Sequence, residues 1–323
     1  MSWVSVHRLG AAAAGVVLLI APLGIAPVHA RDTVPVTTMT GPGSQLDGMF
    51  LTYVGCDSMG GPAAAPATRI NRGPVAAPMG RRSFGLVPSG QGTASGPTLS
   101  FLSLGSVGAA VDVHAEAGTT GMSYIWVTTP DTALGQAWHG RASLTVSRGG
   151  WQHVDTATLR HDWELVDLGT GLSSAHQSAT PAEFVAAHGD GPGLLVTGFG
   201  CDGQAFNVDA VRGNGGTWDF EGLALATTIT LSSTQLAPGD ELAVAGAVTD
   251  AAGRITGDPL VLQSRAPGAA EWTDDSPLTY MGPDGSSRAT ITVTETREFR
   301  WRRPASEYAD EGASEPVLVT VAG

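Results

Sequence analysis

Short runs of alternating apolar and polar residues follow one another along the chain from residue 49 onward, with turn residues between them. The clearest run, 141–147, places Ala142, Leu144 and Val146 on one face and arginine, serine and threonine on the other. A period of two predicts a half-buried antiparallel strand. Comparable runs cover 49–54, 83–87, 98–104, 110–115, 122–128, 159–166, 194–199 and 205–211. Many short strands without regular crossover helices predict an all-β sandwich, not a parallel α/β sheet.

One helix is predicted within this strand pattern. Thr180-Pro-Ala-Glu183 has the form of a capping box with proline at the first helical position, and Gly189 follows His188 as a stop signal. We expect about two helical turns. Phe184 would pack across an opening of the sandwich. Most of 59–97, which is rich in Gly, Pro, Ala and Ser, is predicted to be loop.

The strand pattern restarts after Gly222 with a new set of apolar positions. Leu242 and Val244 share one face, as do Phe299 and Trp301 further along. About ninety-five residues with seven short strand candidates fit an immunoglobulin-like sandwich. We therefore predict a first domain over 31–225 and a second, immunoglobulin-like domain over 226–323.

The first thirty residues carry the pattern of a signal peptide. His7 and Arg8 precede an apolar run over 9–28, and small residues stand at the cleavage positions Val28 and Ala30. A transmembrane anchor is the alternative, because the run approaches spanning length. The glycines and prolines inside the run favour cleavage before Arg31, which predicts a secreted protein with no membrane span after processing.

The charge of the chain is strongly acidic. Its 17 basic and 30 acidic residues give a net charge of −13, and it contains no lysine. Loss of residues 1–30 removes one arginine and no acid, which changes the net charge to −14. A polyanion is bound by clustered Lys and Arg, so nucleic acid is not an expected partner.

The two cysteines predict one disulfide, Cys56–Cys201. Both stand in the sequence Gly-Cys-Asp, and an exported chain with two cysteines favours a single bridge. A zinc site and a reactive thiol are weaker alternatives, since no matched histidines accompany the pair and the compartment is oxidising.

The end of the first domain resembles a known group of proteins. The helix ending in His-Gly-Asp-Gly-Pro-Gly is followed by Gly-Phe-Gly-Cys-Asp-Gly, Asn-Val-Asp-Ala-Val-Arg and Trp-Asp-Phe-Glu-Gly. This series resembles secreted actinobacterial surface proteins of unassigned function, over roughly 56–222. The last two segments are also similar to the final strands of jelly-roll, galactose-binding-like modules, and this similarity implies a jelly-roll-type β-sandwich for the first domain. The ending Phe-Arg-Trp-Arg-Arg with Ser-Glu-Pro-Val-Leu-Val-Thr-Val resembles bacterial Ig-like repeats, which implies a spacer or a binding platform.

Tryptophans are the first candidates for a ligand site. A flat indole suits the apolar face of a pyranose, and Trp138 and Trp151 each stand beside a predicted turn at the rim of the sandwich. These two residues are therefore the predicted carbohydrate contacts. Core packing between the sheets is the alternative for aromatic residues of this kind.

Acidic residues near the end of the first domain are the second candidates. Five of them would converge once the disulfide forms, and their oxygens suit calcium: Asp57, Asp202, Asp209, Asp219 and Glu221. Solvated acids on an acidic surface are the alternative interpretation.

Two classes of function stay open at this point. The first is a secreted binding protein without catalysis, with carbohydrate as the expected ligand and calcium as the candidate cofactor. The second is a secreted hydrolase with a site in the 59–97 loop or the strand over 153–167. The Gly-x-Ser-x-Gly and His-Glu-x-x-His motifs are absent from the sequence. His161 should lie on a core face with Leu159 and Trp163, away from Asp162, which favours binding.

Overall fold

The structure is a computed structural model that describes residues 34–322. The predicted signal peptide over 1–30 and the predicted mature terminus at Arg31 lie outside the described residues. The part that is described forms two β-sandwiches in sequence, with one α-helix in the first. The prediction of an all-β fold with one short helix is confirmed.

The first sandwich is built from short strands, one α-helix and three single 3-10 turns. Its strands are β1 (Val36–Met39), β2 (Gly43–Ser44), β3 (Met49–Gly55), β4 (Ala67–Asn71), β5 (Ser83–Val87), β6 (Thr93–Phe101), β7 (Ala110–Ala115), β8 (Thr119–Val127), β9 (Gln136–Val146), β10 (Gly149–Asp155), β11 (His161–Asp167), β12 (Ser173–Ala179), β13 (Gly193–Phe199), β14 (Phe206–Gly213) and β15 (Gly216–Phe220). The helix α1 spans Pro181–His188, and the 3-10 turns span Gln45–Asp47, Leu104–Ser106 and Thr156–Thr158.

Two sheets form this sandwich. Sheet A has seven strands, with β1-β15-β14-β5-β4 in order, β7 paired with β14, and β10 paired with β7. Sheet B has eight antiparallel strands in the order β12-β11-β9-β8-β13-β6-β3-β2. The chain moves between the two sheets repeatedly, so strands far apart in sequence become neighbours.

One hydrophobic core fills the space between the inward faces of the sheets. Sheet A contributes Phe84, Leu86, Val113, Val208 and Phe220, and sheet B contributes Leu99, Ile125, Leu144, Trp163 and Phe199, all buried. The strict alternation over 141–147 is confirmed in β9, where Ala142, Leu144 and Val146 point inward.

The helix begins and ends where its sequence signals place it. The Thr180 hydroxyl accepts from the Glu183 backbone N–H, and the Glu183 carboxylate accepts from the Thr180 backbone N–H, which completes the capping box. Gly189 follows the last turn with φ of 84°. Phe184 is fully buried and stacks on Trp163 with 3.9 Å between ring centroids. The predicted packing of Phe184 is therefore confirmed, with sheet B as its partner.

The predicted disulfide is present between Cys56 and Cys201, whose α-carbons lie 5.9 Å apart. Gly92 connects the same two residues through its backbone: its carbonyl accepts from Cys56 and its N–H donates to the Cys201 carbonyl, both at 2.9 Å. The bridge lies on the outer side of sheet B, where it packs against a small apolar cluster with Tyr124 and Val196.

The second sandwich is smaller and has its own core. Its strands are β16 (Ala226–Leu231), β17 (Gln235–Leu236), β18 (Asp240–Thr249), β19 (Val261–Arg265), β20 (Thr273–Asp274), β21 (Ser287–Val293), β22 (Arg297–Arg303), β23 (Gly312–Ala313) and β24 (Val317–Val321). A three-stranded sheet, β16-β18-β21, faces a six-stranded one that contains β22 and β24. Between them lie Leu242, Val244, Leu262, Phe299, Trp301 and Val319. Among residues 34–322, the structure has no helix long and apolar enough to cross a membrane.

A short segment of the second sandwich contacts the first. The Ile70 N–H donates to the Glu307 carbonyl at 2.9 Å, and the Leu223 N–H donates to the Tyr308 carbonyl at 2.7 Å. The Tyr308 ring packs against the core of the first sandwich, 6.1 Å from the Phe84 ring. The junction is therefore more extensive than a simple linker.

We predict that the second sandwich folds alone. Leu225 packs against its core, so the fragment to express is 224–323, which keeps that contact. This fragment should be soluble and unfold in one cooperative transition, because its apolar residues pack mainly against one another. Thermal unfolding followed by circular dichroism tests this. A fragment without a cooperative transition would show that the second sheet depends on the first sandwich.

Candidate functional site

The outer face of sheet A carries a groove between β4, β5 and β14. Strand register aligns Arg69, Gly85 and Asn207 in one row across the three strands. Because Gly85 has no side chain, the middle of the row is a depression between an arginine and an asparagine. The groove has a volume of about 690 Å³ and includes Thr68, Asn71, Arg72, Pro74, Val87 and Ala205 in its lining.

Two arginines in this groove have side chains with no partner among the described residues. Arg69 and Arg72 are exposed, whereas the nearby Arg82 donates to Glu221 at 3.1 Å and to Asp310 at 2.9 Å. Asp310 also lines the groove, and its charge is compensated by Arg82. The free cationic groups of the groove are therefore available to a ligand.

Residues 72–82, here called the strap, cross the outer face of sheet A beside the groove. Besides the contacts of Arg82 with Glu221 and Asp310, three hydrogen bonds anchor the strap. Trp151 Nε1 donates to the Ala76 carbonyl at 2.8 Å, the Met79 N–H donates to Asp209 Oδ2 at 3.0 Å, and the Arg81 N–H donates to Glu221. The strap starts at the groove, directly after β4. There Asn71 Oδ1 accepts from the Gly73 N–H at 2.7 Å, and this Asx turn redirects the chain.

Buried carboxyl groups lie beneath the strap. Asp209 is fully buried and stands where β14 changes its neighbour from β5 to β15, and the next residue, Ala210, has φ of 47°. Burial, together with the charge of Asp219, raises the pKa of Asp209 to about 7. Burial and the charge of Glu221 also raise the pKa of Asp219. Oδ1 of each aspartate accepts no hydrogen bond from the residues that the structure describes.

The five acids predicted to bind calcium do not come together, so that prediction is corrected. Asp202 lies beside sheet B, where it accepts from the Thr119 hydroxyl at 3.1 Å and the Thr120 N–H at 3.0 Å, and Asp57 is exposed near the disulfide. Asp209, Asp219 and Glu221 belong to sheet A and the residue after it. The disulfide links two segments on sheet B, so it cannot gather acids from both sheets. Within residues 34–322, no group of three or more His, Cys, Asp or Glu is arranged to hold a metal ion.

The prediction that Trp138 is an exposed stacking residue is wrong. Its side chain points inward from β9 and is only 4% exposed. It packs on the helix, 5.4 Å from the Phe184 ring and 4.5 Å from the His188 ring. The turn beside Trp138 does not expose its side chain, because the residues on the inward face of β9 are buried as far as the start of that strand.

Trp151 is half-buried on the outer face of sheet A. Its indole N–H is used by the strap, and its ring lies 5.7 Å from the ring of buried His114. The residue is therefore next to the groove region without lining the groove itself. Its contact with a ligand stays a prediction.

His161 is a core histidine, as its strand position indicates. It is fully buried, and both ring nitrogens have partners at 3.0 Å, the Leu159 carbonyl at Nδ1 and the Ser123 hydroxyl at Nε2. Since a carbonyl only accepts, Nδ1 carries the proton and Nε2 accepts from the serine. Burial lowers the pKa of His161 to about 4. The Ser123–His161 pair is closed to solvent, so a substrate cannot reach its serine.

Sequence reasoning did not single out the groove residues. Arg69, Arg72, Arg81 and Arg82 do form a group of arginines within a segment predicted to be loop. In a chain of net charge −13, such a group was the available signal. Its alignment with Asn207 depends on pairing between strands more than a hundred residues apart.

Comparison with known proteins adds no relative from which a role could be transferred. No family model matches the chain, and no curated protein matches it either.

Proposed function

We propose that this protein is exported and binds a carbohydrate, without catalysis, in the groove on sheet A. The observation that carries the proposal is the row Arg69–Gly85–Asn207, in which a bare glycine lies between two hydrogen-bonding side chains. Ligand sites are concave and combine apolar walls with a few polar groups that fix orientation. The groove has this character, because its guanidinium, amide and hydroxyl groups alternate with Pro74 and Val87.

The shape of the groove favours a sugar over an extended peptide. A peptide that adds to a sheet pairs with the backbone of an edge strand. The outer edge of β4 is already engaged, since the Ile70 N–H donates to the Glu307 carbonyl. The groove lies on the face of the sheet, where side chains are presented. A pyranose, which has hydroxyl groups at its rim and an apolar face, suits such a surface.

The hydrolase alternative has less support. The pKa of Asp209, about 7, would suit a general acid, and perturbed groups of this kind often mark active sites. Asp209 is nevertheless fully buried beneath the strap, so a substrate in the groove cannot contact it. His161 and Ser123 are closed off in the same way.

Export and a role for the second sandwich complete the proposal. The disulfide fits an oxidising compartment, and the signal-peptide pattern fits secretion. The second sandwich would act as a spacer that presents the first. The resemblance to bacterial Ig-like repeats supports this assignment.

The test is to fill the groove floor. We expect Gly85→Val to lower the affinity for whichever glycan a glycan array identifies by at least about tenfold, because the new side chain occupies the depression. A Cβ at this position would lie 3.2 Å from Asn207 Nδ2, so the fold should need only a small local shift. Isothermal titration calorimetry gives the affinity.

Gly150→Val is the matched control. It places the same side chain on a strand of the same sheet, where a Cβ meets no atom within 4 Å. This variant should bind as the native protein does. If folded Gly85→Val bound the glycan with unchanged affinity, the groove would not be the site.

A further inference from the structure

We infer that the saccharide held in the groove is acidic, with a carboxylate or sulfate group that lies between Arg69 and Arg72; this inference rests on the proposed function. It begins from how arginines are used in this chain. Most arginines of the described residues form ion pairs with Asp or Glu, among them Arg82, Arg212 and Arg265.

Few arginines are without an acidic partner. Arg141 donates to the Cys56 carbonyl at 2.9 Å, and Arg300 donates to Gln263 and stacks on a tryptophan ring. Within residues 34–322, the arginines whose side chains make neither an ion pair nor a hydrogen bond are Arg69, Arg72 and Arg148. Two of these three line the same groove.

Local structure brings the two arginines to one groove. Arg69 points outward from β4, since the next residue, Ile70, is buried in the core. Gly73 has φ of 64°, and its N–H donates to the Asn71 side chain. This turn keeps Arg72 in the lining at the end of the same strand.

The charge within the groove is positive although the protein is acidic. Asp310 is the acidic residue in the lining, and both Nε and Nη2 of Arg82 donate to its Oδ2. Two free guanidinium groups therefore face the groove without an opposing carboxylate. Guanidinium binds carboxylate and sulfate through paired, charge-assisted hydrogen bonds.

The remaining polar groups suit the rest of a sugar. Asn207 Nδ2 donates to the Ser83 hydroxyl at 3.0 Å, which fixes the amide and leaves its oxygen to accept from a ligand hydroxyl. Val87, 56% exposed, offers an apolar surface to the face of a ring. The groove thus offers two arginines to the acid group of a sugar, Asn207 to a hydroxyl group and Val87 to the face of the ring.

The experiment uses four probes with the mature protein: a short oligogalacturonate, its carboxyl-reduced neutral counterpart, a chondroitin sulfate oligosaccharide, and poly-glutamate as an acidic polymer that is not a saccharide. We expect binding of one or both acidic saccharides, no measurable binding of the neutral one, and weaker binding as NaCl is raised. Arg69→Gln and Arg72→Gln should each weaken binding about fivefold, the effect of one exposed charge-assisted contact. The two acidic saccharides distinguish a carboxylate from a sulfate ligand.

Arg148→Gln is the matched control, because it removes an exposed arginine that is also unpaired but lies outside the groove. It should leave affinity unchanged. One result would overturn the inference of an acidic ligand but leave the proposed function standing: the neutral probe binds as tightly as the acidic ones, Arg69→Gln and Arg72→Gln have no effect, and Gly85→Val loses binding. Binding of poly-glutamate in place of every saccharide, or saccharide binding unaffected by Gly85→Val, would overturn both.

Discussion

Removal of the disulfide, by Cys56→Ser together with Cys201→Ser, should lower the free energy of unfolding by about 4 kcal/mol. The bridge spans 145 residues, and the chain-entropy account gives roughly 5 kcal/mol for a loop of this length. Some of that value is lost because a denatured chain retains local structure. This loss is a large fraction of the free energy of unfolding of an ordinary domain, which is about 5 to 15 kcal/mol.

The native structure around the two positions should persist in this variant. Gly92 still joins residues 56 and 201 through its backbone, and the Tyr124 hydroxyl still donates to the carbonyls of residues 55 and 56. The loss should therefore appear in urea denaturation while the near-ultraviolet circular dichroism stays native. The native sequence in reducing buffer provides the control. A loss below about 1 kcal/mol would contradict a stabilising role for the bridge.

Asp209→Asn should stabilise the protein at pH 8 by about 2 to 4 kcal/mol. The pKa of this carboxyl rises from 3.8 to about 7 on folding. A raised pKa of an acid means that the folded state retains a proton that the unfolded state has released. The native protein therefore loses stability as the pH rises from about 4 to about 7, and the loss is complete above that range.

The asparagine variant lacks this titration. Its side-chain oxygen can still accept from the Met79 N–H, so the strap keeps its anchor. Urea denaturation of both proteins at pH 4 and pH 8 gives the result: a stability gain at pH 8 that is nearly absent at pH 4. Asp57→Asn removes an exposed acid and is the control, with no expected gain at either pH. A gain of equal size at both pH values would contradict the account.

Local sequence signals were sufficient for much of the fold. The alternating pattern predicted which face of β9 points inward, and the capping box predicted the start of α1. The presence of two cysteines alone predicted the disulfide between them. Strands without such signals were missed. β4 has one buried apolar residue, Ile70, and lies in a Gly- and Pro-rich segment. β12 is an exposed edge strand of Ser, Ala, His and Gln, so it has no hydrophobic period to detect.

The site was harder to predict because it depends on register between distant strands. Arg69 and Asn207 are aligned through Gly85, and no local pattern encodes that pairing. For Trp138 a local signal was misleading. The turn nearby suggested that the side chain is exposed, whereas the alternation of β9 places the ring in the core. Strand pairing also explains why the five acids lie apart. Asp57 and Asp202 lie beside sheet B, whereas Asp209, Asp219 and Glu221 belong to sheet A and the residue after it.

The central claim is that the groove between β4, β5 and β14 is the ligand site. The most direct measurement is amide chemical-shift mapping by NMR while a short oligogalacturonate is added to the mature protein. We expect the largest shifts at Arg69, Arg72, Gly85 and Asn207, with little change in sheet B or in the second sandwich. Two results would contradict the claim. One is shifts confined to sheet B, for example around Trp126 of β8 and His139 of β9, whose rings lie 5.8 Å apart. The other is the absence of any shift with both this probe and a sulfated oligosaccharide.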